Sequence, residues 1–258
     1  MTHKRFSNAA ATYNRHAAPQ LELVEQLLQW APPTPPTRIL DVGAGTGLLT
    51  AKLADHYPNT PIDAIDIAQE MVEQSRQQFS PQPHIQWHLA DAQTYQPTHP
   101  YPFIASSAAL HWSPDLAATL QNLHTHLQPG GTFLLGLMLR GTLWELREIR
   151  RRIAPTKGPG LSLPTESSIT EQINAAGFTL LEVKTQERRH IYPTGRAFLQ
   201  AIHEQGVTAL PQADLPLNRT ELNALIHTYE TQHATASGVY ATYETACYHL
   251  QKTESPTP

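Results

Sequence analysis

The sequence predicts a doubly wound α/β fold with a mostly parallel, seven-stranded sheet. Two observations predict it. Short apolar runs alternate with helical segments at intervals of roughly 20–30 residues, the spacing expected of successive β-α units. In addition, the first strong apolar run passes directly into a glycine-rich turn and then a helix, as in folds that bind ligands at the carboxyl edge of a parallel sheet.

The pattern along the chain justifies each element. Apolar runs predict strands at 38–42, 61–65, 84–89, 103–106 and 132–138, and later one strand or two at 178–191 and a final one at 239–250. Apolar residues at helical spacing predict an N-terminal helix at 21–30 and further helices at 48–56, 68–79, 114–127, 143–153, 165–176, 195–205 and 218–234. The turn Pro129-Gly130-Gly131 is expected to stop the helix at 114–127. We expect one domain over 1–258, with helical lid elements at 140–177 and 194–235.

Composition narrows the class of protein. The formal net charge is −4, so no general attraction to nucleic acid or to an anionic membrane is expected. No run approaches the ~20 apolar residues needed to cross a bilayer, and no secretory signal is predicted. The single cysteine, Cys247, cannot form an internal disulfide, which favours a reducing cytoplasm.

The most informative motif is Asp41-Val42-Gly43-Ala44-Gly45-Thr46-Gly47, between a predicted strand and a predicted helix. Glycines allow a tight backbone bend against a ligand, and the amides that open the helix favour a carboxylate or phosphate. Asp41 adds an acceptor for an ammonium group. A dinucleotide fold is the competitor, but its fingerprint needs a third glycine where Leu48 stands. Three alternating glycines behind an acidic residue are typical of S-adenosylmethionine methyltransferases.

Further cofactor contacts are predicted at the ends of the next strands. Asp66 follows Asp41 by 25 residues and can accept from both ribose hydroxyls, whereas Asp63 is more simply a solvated charge. Asp91 with Ala92 is placed to meet an adenine amino group; the alternative for Asp91 is the cap of a helix or a turn. Assigned to the same site are Ala44 in the loop, Ile67, Met71 and the strand-end residue Ser106.

His111 and Trp112 follow the fourth strand at the edge where substrate and cofactor would meet, and are candidate catalytic residues; packing is the alternative. No metal site is predicted despite 14 histidines, because His124 and His126 face different sides of a helix and His84 and His88 only bracket a strand.

Segments outside these motifs resemble the malonyl-[acyl-carrier protein] O-methyltransferases of biotin synthesis, within the Rossmann-like S-adenosylmethionine-dependent methyltransferase superfamily. They span nearly the whole chain, as FSNAAATYNRHA (6–17), SAALHW (107–112), GTLWEL (141–146), LQAIHEQGV (199–207) and YETACY (243–248). The chain departs from the family pattern just before the fourth strand, where Pro102-Phe103 replaces the usual aspartate.

The resemblance implies S-adenosylmethionine as cofactor and the free carboxylate of a malonyl thioester as methyl acceptor. Tyr13 would close over the cofactor and Arg140 would hold the carboxylate oxygen that does not attack; packing and an ordinary surface arginine are the alternatives. Arg147, Arg150, Arg151 and Arg152 would dock the acidic acyl carrier protein, unless they form only a solvated helix face. Two other functions stay open. The first is a methyltransferase that acts on another small acid such as trans-aconitate, or on an unrelated small molecule. The second is a protein that binds the cofactor without catalysis.

Overall fold

One mixed sheet forms the centre of the computed structural model, which describes residues 17–80, 82–158, 160–205 and 215–253. Its order is β3-β2-β1-β4-β5-β8-β6, with the short β7 paired to β8 alone. The strands are β1 (Ile39–Val42), β2 (Ile62–Asp66), β3 (Ile85–Leu89), β4 (Tyr101–Ser107), β5 (Leu127–Met138), β6 (Thr179–Tyr192), β7 (Ala234–Thr235) and β8 (Gly238–Gln251).

The first five strands are parallel, and β8 runs antiparallel to both β5 and β6. The predicted fold class is therefore confirmed: seven strands follow one path, and the two-residue β7 is an eighth beside it. The strand order reverses between β2 and β4, where Ile39 of β1 lies opposite Ile62 on one side and Phe103 on the other. In open α/β sheets a ligand crevice forms at the carboxyl ends of the strands at such a reversal.

Helices cover both faces of this sheet. They are α1 (Ala18–Leu27), α2 (Leu48–His56), α3 (Gln69–Gln78), α4 (Leu116–His126), α5 (Trp144–Ile153), α6 (Glu166–Ala175), α7 (Gly195–Glu204) and α8 (Arg219–Gln232). Successive strand residues such as Ile39 and Leu40 fall into two different buried apolar clusters. Because neighbouring side chains of a strand point to opposite faces, the clusters are the two sides of the sheet. One contains α1, α2 and α3, and the other contains α4 and α6.

Three further helices lie together and add Ile149, Phe198 and Leu225 to the first of these clusters. α5 follows β5, and α7 and α8 stand between β6 and β7. α8 contacts both α5 and α7. These three occupy the predicted lid ranges, whereas α6, which falls inside 140–177, packs on the sheet through Ile169 and Ile173. Their action as a lid stays a prediction. No helix in the described ranges is long and apolar enough to cross a membrane.

Element boundaries differ from the predicted ones mainly next to prolines. α1 begins at Ala18, with Pro19 in its first turn, and a 3₁₀ turn at Leu28–Trp30 continues from its end. α4 ends at His126, before the predicted stop signal, and β5 begins at Leu127. The predicted stop signal at 129–131 therefore lies inside β5 and not in a separate turn. Because the residue before a proline avoids helical backbone angles, Pro129 still limits how far the helix can extend.

Candidate active site

A cleft of about 220 Å³ opens where the strand order reverses. The predicted site residues that line it are Gly43, Gly45, Asp66, Ile67, Met71, Asp91, Ala92 and Trp112. They come from four separate stretches of the chain, each at or just beyond the carboxyl end of a parallel strand. The sheet therefore brings together most of the residues assigned to the cofactor, although these roles themselves remain proposals.

The glycine loop forms the floor of the cleft. Gly43 has a φ of +71°, and a Cβ there would lie 2.3 Å from the Cβ of Ala109. Gly45 has a φ of +55° and faces open space, with no atom within 4 Å of an added Cβ. Gly43 thus lets the loop pack closely against the turn that follows β4. The missing side chain at Gly45 leaves space in the cleft for a ligand. Gly47 stands at the N-cap of α2, and Ala44 is buried behind the loop.

Asp66 joins the loop to the end of β2. One carboxylate oxygen accepts from the N–H of Gly45 at 2.8 Å, and the other accepts from the N–H of Ala68 at 2.8 Å. Burial raises the pKa of Asp66, and these backbone hydrogen bonds oppose the rise. Since each carboxylate oxygen can accept more than one hydrogen bond, Asp66 still has acceptor capacity directed at the cleft.

Asp41 lies behind the loop and not in the cleft wall. Its side chain is almost inaccessible, at 1 % exposure. Oδ2 accepts from the Thr50 hydroxyl at 2.6 Å, whereas Oδ1 is buried and has no hydrogen-bond partner among the described residues. Burial raises the pKa of Asp41 to about 7, against the opposing hydrogen bond from Thr50. A buried carboxylate of this kind is stabilised by a cation close to it.

The part of the cleft that is lined by Ile67, Met71 and Asp91 is mostly apolar and contains one carboxylate. Ile67 is 49 % exposed and lines it with Met71. Asp91 Oδ1 accepts from the N–H of Gln93 at 2.9 Å, so the turn-capping alternative describes part of what this side chain does. Its carboxylate lines the cleft as well, beside Ala92. An exposed aliphatic surface next to an acceptor suits a flat heterocycle that carries an amino group.

The turn after β4 closes the remaining side. Ser106 is fully buried, and its hydroxyl donates to the carbonyl of Val42 at 2.8 Å, so this side chain ties β4 to β1. Ala108 has a φ of +52°, and a 3₁₀ turn at Leu110–Trp112 follows. Other lining residues here were not predicted from the sequence; they include Ala108, Ala109, Ser113, Pro114 and Thr119. The Ser-Ala-Ala run between a strand end and a helix was the available signal.

His111 and Trp112 lie in that 3₁₀ turn, with ring centroids 5.0 Å apart. Burial lowers the pKa of His111 to about 3, so its imidazole is neutral at physiological pH. Its Nδ1 is buried without a hydrogen-bond partner in the described ranges. A neutral imidazole with one unused ring nitrogen can donate or accept a hydrogen bond there, but it cannot supply a positive charge.

The predicted cations lie elsewhere. Arg140 is exposed and does not belong to the cleft lining; its N–H donates to the carbonyl of Pro164 at 2.8 Å. The guanidinium of Arg147 donates to the carbonyls of Thr142 and Arg140, which fastens the turn between β5 and α5. Because these hydrogen bonds occupy the guanidinium, Arg147 has fewer donors left for a partner protein.

The docking prediction is wrong for Arg150. That side chain is only 7 % exposed, and it donates to the carbonyls of Gly158, Lys157 and Leu215 at 3.1, 3.1 and 2.7 Å. Burial on the inner side of α5 therefore removes it from any docking surface. Arg151 and Arg152 are exposed; Arg152 donates to Gln232 and pairs with Glu148 at 3.8 Å.

Two of the predicted features lie in parts of the chain that the structure does not describe. Tyr13 and the segment before residue 17 lie outside the described residues, as do 206–207 at the end of the late-helix motif. Within the described ranges, no group of three or more His, Cys, Asp or Glu side chains is arranged to hold a metal ion.

Comparison with known proteins places this geometry in a family. A methyltransferase domain model matches residues 39–131, the part of the chain that builds the cleft. The malonyl-[acyl-carrier protein] O-methyltransferase of Brevibacillus brevis is 30 % identical over 93 % of this chain and 91 % of its own length. That of Geobacter sulfurreducens is 30 % identical over 96 % of both chains.

The chain belongs to the malonyl-[acyl-carrier protein] O-methyltransferase family. The predicted family is thereby confirmed, and with it the prediction that the chain is an enzyme of the methyltransferase class. The solved structure of the YcgJ protein from Bacillus subtilis shares this methyltransferase's fold, with a TM-score of 0.65 and 16 % identity over 91 % of this chain and 99 % of that one.

Proposed function

We propose that the chain binds S-adenosylmethionine in the cleft and transfers its methyl group to the free carboxylate of malonyl-acyl carrier protein, an early step of biotin synthesis. The observation that carries the proposal is the glycine loop fastened to Asp66 within a chain of this family. The malonyl-[acyl-carrier protein] O-methyltransferases from Brevibacillus brevis and Geobacter sulfurreducens support the substrate class through their names.

The residues present fit this cofactor. Gly45 leaves a space that a Cβ would fill, which allows main-chain amides to approach the amino-acid portion. The unpartnered Oδ1 of Asp41 behind the loop is an acceptor that an ammonium group would satisfy. Asp66 would accept from the ribose hydroxyls, and Ile67 with Met71 would cover the adenine, whose amino group would meet Asp91.

The chemistry requires no general base. A carboxylic acid of pKa ~4 is ionised at neutral pH, so the attacking oxygen already carries its lone pair. The cofactor, when bound, would supply a methyl group activated by a positively charged sulfur, and the sulfur would be left as a neutral thioether once the carboxylate oxygen has taken the methyl group. The protein has to align the carboxylate and exclude water, and such orientation can supply up to ~7–11 kcal/mol.

His111 and Arg140 are the proposed contacts to the substrate carboxylate. The low pKa of His111 keeps its imidazole neutral, so it would donate a hydrogen bond to the carboxylate through Nδ1 and would not supply a positive charge. Trp112 would line the substrate side of the cleft. Arg140, exposed at the exit of β5, would reach the substrate from outside the cleft, and Tyr13 would cover the cofactor. Arg151 and Arg152 would dock the carrier protein.

Mass spectrometry of the product tests the proposal. Purified protein with S-adenosylmethionine and malonyl-acyl carrier protein should give a methyl ester on the malonyl group, with malonyl-coenzyme A and trans-aconitate as competing substrates. Esterification of trans-aconitate in preference to the malonyl thioesters would instead support the alternative substrate. Calorimetry with S-adenosylhomocysteine and NAD separates the cofactor classes, and we expect heat from the former alone. Cofactor binding without any methylated product would favour a binding protein.

The location we propose is the cytoplasm. The single thiol, Cys247, is buried at 1 % exposure, and burial raises its pKa to about 12. A thiol held in this protonated, inaccessible form has no role in a disulfide or in metal binding, which fits a reducing compartment.

A further inference from the structure

A second, larger cavity lies between helices α5, α7 and α8. Its volume is about 550 Å³, and its described lining has no residue in common with the cofactor cleft. Most of the wall is aliphatic, with side chains from all three helices, among them Leu146, Leu199, Ile202, Leu225 and Ile226. Small-molecule sites in proteins have this size and this mainly apolar lining.

The lining also contains the polar residues Gln200 and His203, and its charged side chains are all arginines. Arg147, Arg150 and Arg196 contribute to the wall, and no acidic residue occurs among its described lining residues. Neighbouring acids are engaged elsewhere. Glu221 is paired with Lys157 at 2.6 Å, and Glu230 accepts from the N–H of Gly195 at 2.9 Å.

The three arginines differ in what they can offer a ligand. Arg147 and Arg150 already donate to backbone carbonyls, so they hold the wall together while still contributing positive charge. Arg196 is exposed at the start of α7 and forms no ion pair with a described residue. Its guanidinium is therefore available to an anionic group at the edge of the cavity.

We propose that this cavity binds an amphipathic carboxylate with an unbranched alkyl chain, of the medium-chain fatty acid class. The aliphatic wall would bury the chain, since an apolar cavity holds no partner for water and readily takes an apolar ligand. The carboxylate would pair with Arg196 in the field of Arg147 and Arg150. This site is separate from methyl transfer and does not depend on the proposed substrate.

Isothermal titration calorimetry with dodecanoate and dodecanol tests the proposal on the full chain. We expect one molecule of dodecanoate per chain with a micromolar Kd, and weaker binding of dodecanol, which lacks the charge. Arg196→Gln should weaken dodecanoate about tenfold, the size expected for one hydrogen bond to a charged group, and leave dodecanol unchanged. Arg219→Gln, at an exposed arginine outside the lining, is the matched control and should bind as the wild type does.

Ile226→Trp fills the cavity and should abolish the binding of both compounds. Affinity for S-adenosylhomocysteine, measured on the same variant, shows that the fold is intact and reports on the cofactor cleft independently. The proposal is overturned if dodecanoate shows no saturable binding, or if Ile226→Trp binds it unchanged. Equal affinity for dodecanoate and dodecanol, or an equal loss in Arg196→Gln and Arg219→Gln, would overturn the anionic part.

Discussion

The buried carboxylate of Asp41 should make the stability of this methyltransferase fall as the pH rises. Burial raises its pKa from 3.8 to about 7. In the unfolded chain the group ionises near pH 3.8, but in the folded chain it keeps its proton up to about pH 7. The free-energy cost of ionising Asp41 in the folded state therefore grows between these two pH values and is complete above them. A pKa shift of roughly three units corresponds to a loss of about 4 kcal/mol in the free energy of unfolding.

Asp41→Asn removes this penalty because an amide does not ionise. The Thr50 hydroxyl can still donate to the amide oxygen. The unpaired NH₂ has a cost that does not change with pH, so the pH dependence is the informative quantity. Between pH 5 and pH 8 the wild type should lose about 2–3 kcal/mol of unfolding free energy relative to Asp41→Asn.

Urea denaturation at both pH values measures this difference, with Asp55→Asn, at an exposed carboxylate of α2, as the matched control. The control should follow the wild type. If Asp41→Asn and the wild type changed in parallel with pH, the reasoning about a desolvated carboxylate would be refuted.

Cofactor binding should lower the pKa of Asp41, since an ammonium group would favour the ionised carboxylate. Near pH 7 about half of the Asp41 carboxyls are protonated, so binding of S-adenosylhomocysteine should release up to about half a proton per site. Calorimetry in two buffers of different ionisation enthalpy detects it. Asp41→Asn should bind more weakly and release no proton from this site; unchanged proton release in the variant would contradict a contact between Asp41 and the ammonium group.

Three further predictions concern the loop and α5. Gly45→Ala should fold with a loss of about 1 kcal/mol, from its φ of +55°, yet bind S-adenosylhomocysteine at least tenfold more weakly in calorimetry because the methyl group enters the cleft; wild-type affinity would contradict the loop assignment. Arg150→Met should lower the unfolding free energy by about 2–4 kcal/mol in urea titrations, since three carbonyls lose their donor; a neutral result would show that water replaces it. Arg151→Glu combined with Arg152→Glu should raise KM for malonyl-acyl carrier protein about tenfold and leave the malonyl-coenzyme A reaction unchanged; equal effects on both substrates, or none, would remove the docking proposal.

Several parts of the site could be predicted from local sequence. Gly43, Gly45 and Asp66 stand at strand ends, and the carboxyl ends of parallel strands necessarily meet at one edge. The turn at Ala108 and Ala109 was missed, because small residues carry little periodic or chemical signal until a glycine loop packs against them.

The arginines of α5 show a second feature that local sequence could not predict, which is the burial of each side chain. Arg147, Arg150, Arg151 and Arg152 look alike as a basic run, but one helical turn directs them to different surroundings. Arg150 is buried on backbone carbonyls while its neighbour Arg151 is exposed. Which side of the helix faces inward depends on α7 and α8, and residues distant in sequence set that packing.

The sequence by itself determined the alternation of strands and helices, the glycine loop and the family, because hydrophobic periodicity and turn residues act locally. Only the tertiary structure decided that Asp41 is buried behind the loop with an unused oxygen, and that α5, α7 and α8 line a second cavity. Burial and desolvation depend on contacts between segments far apart in the chain, and these contacts set both the raised pKa of Asp41 and the charge that surrounds the cavity.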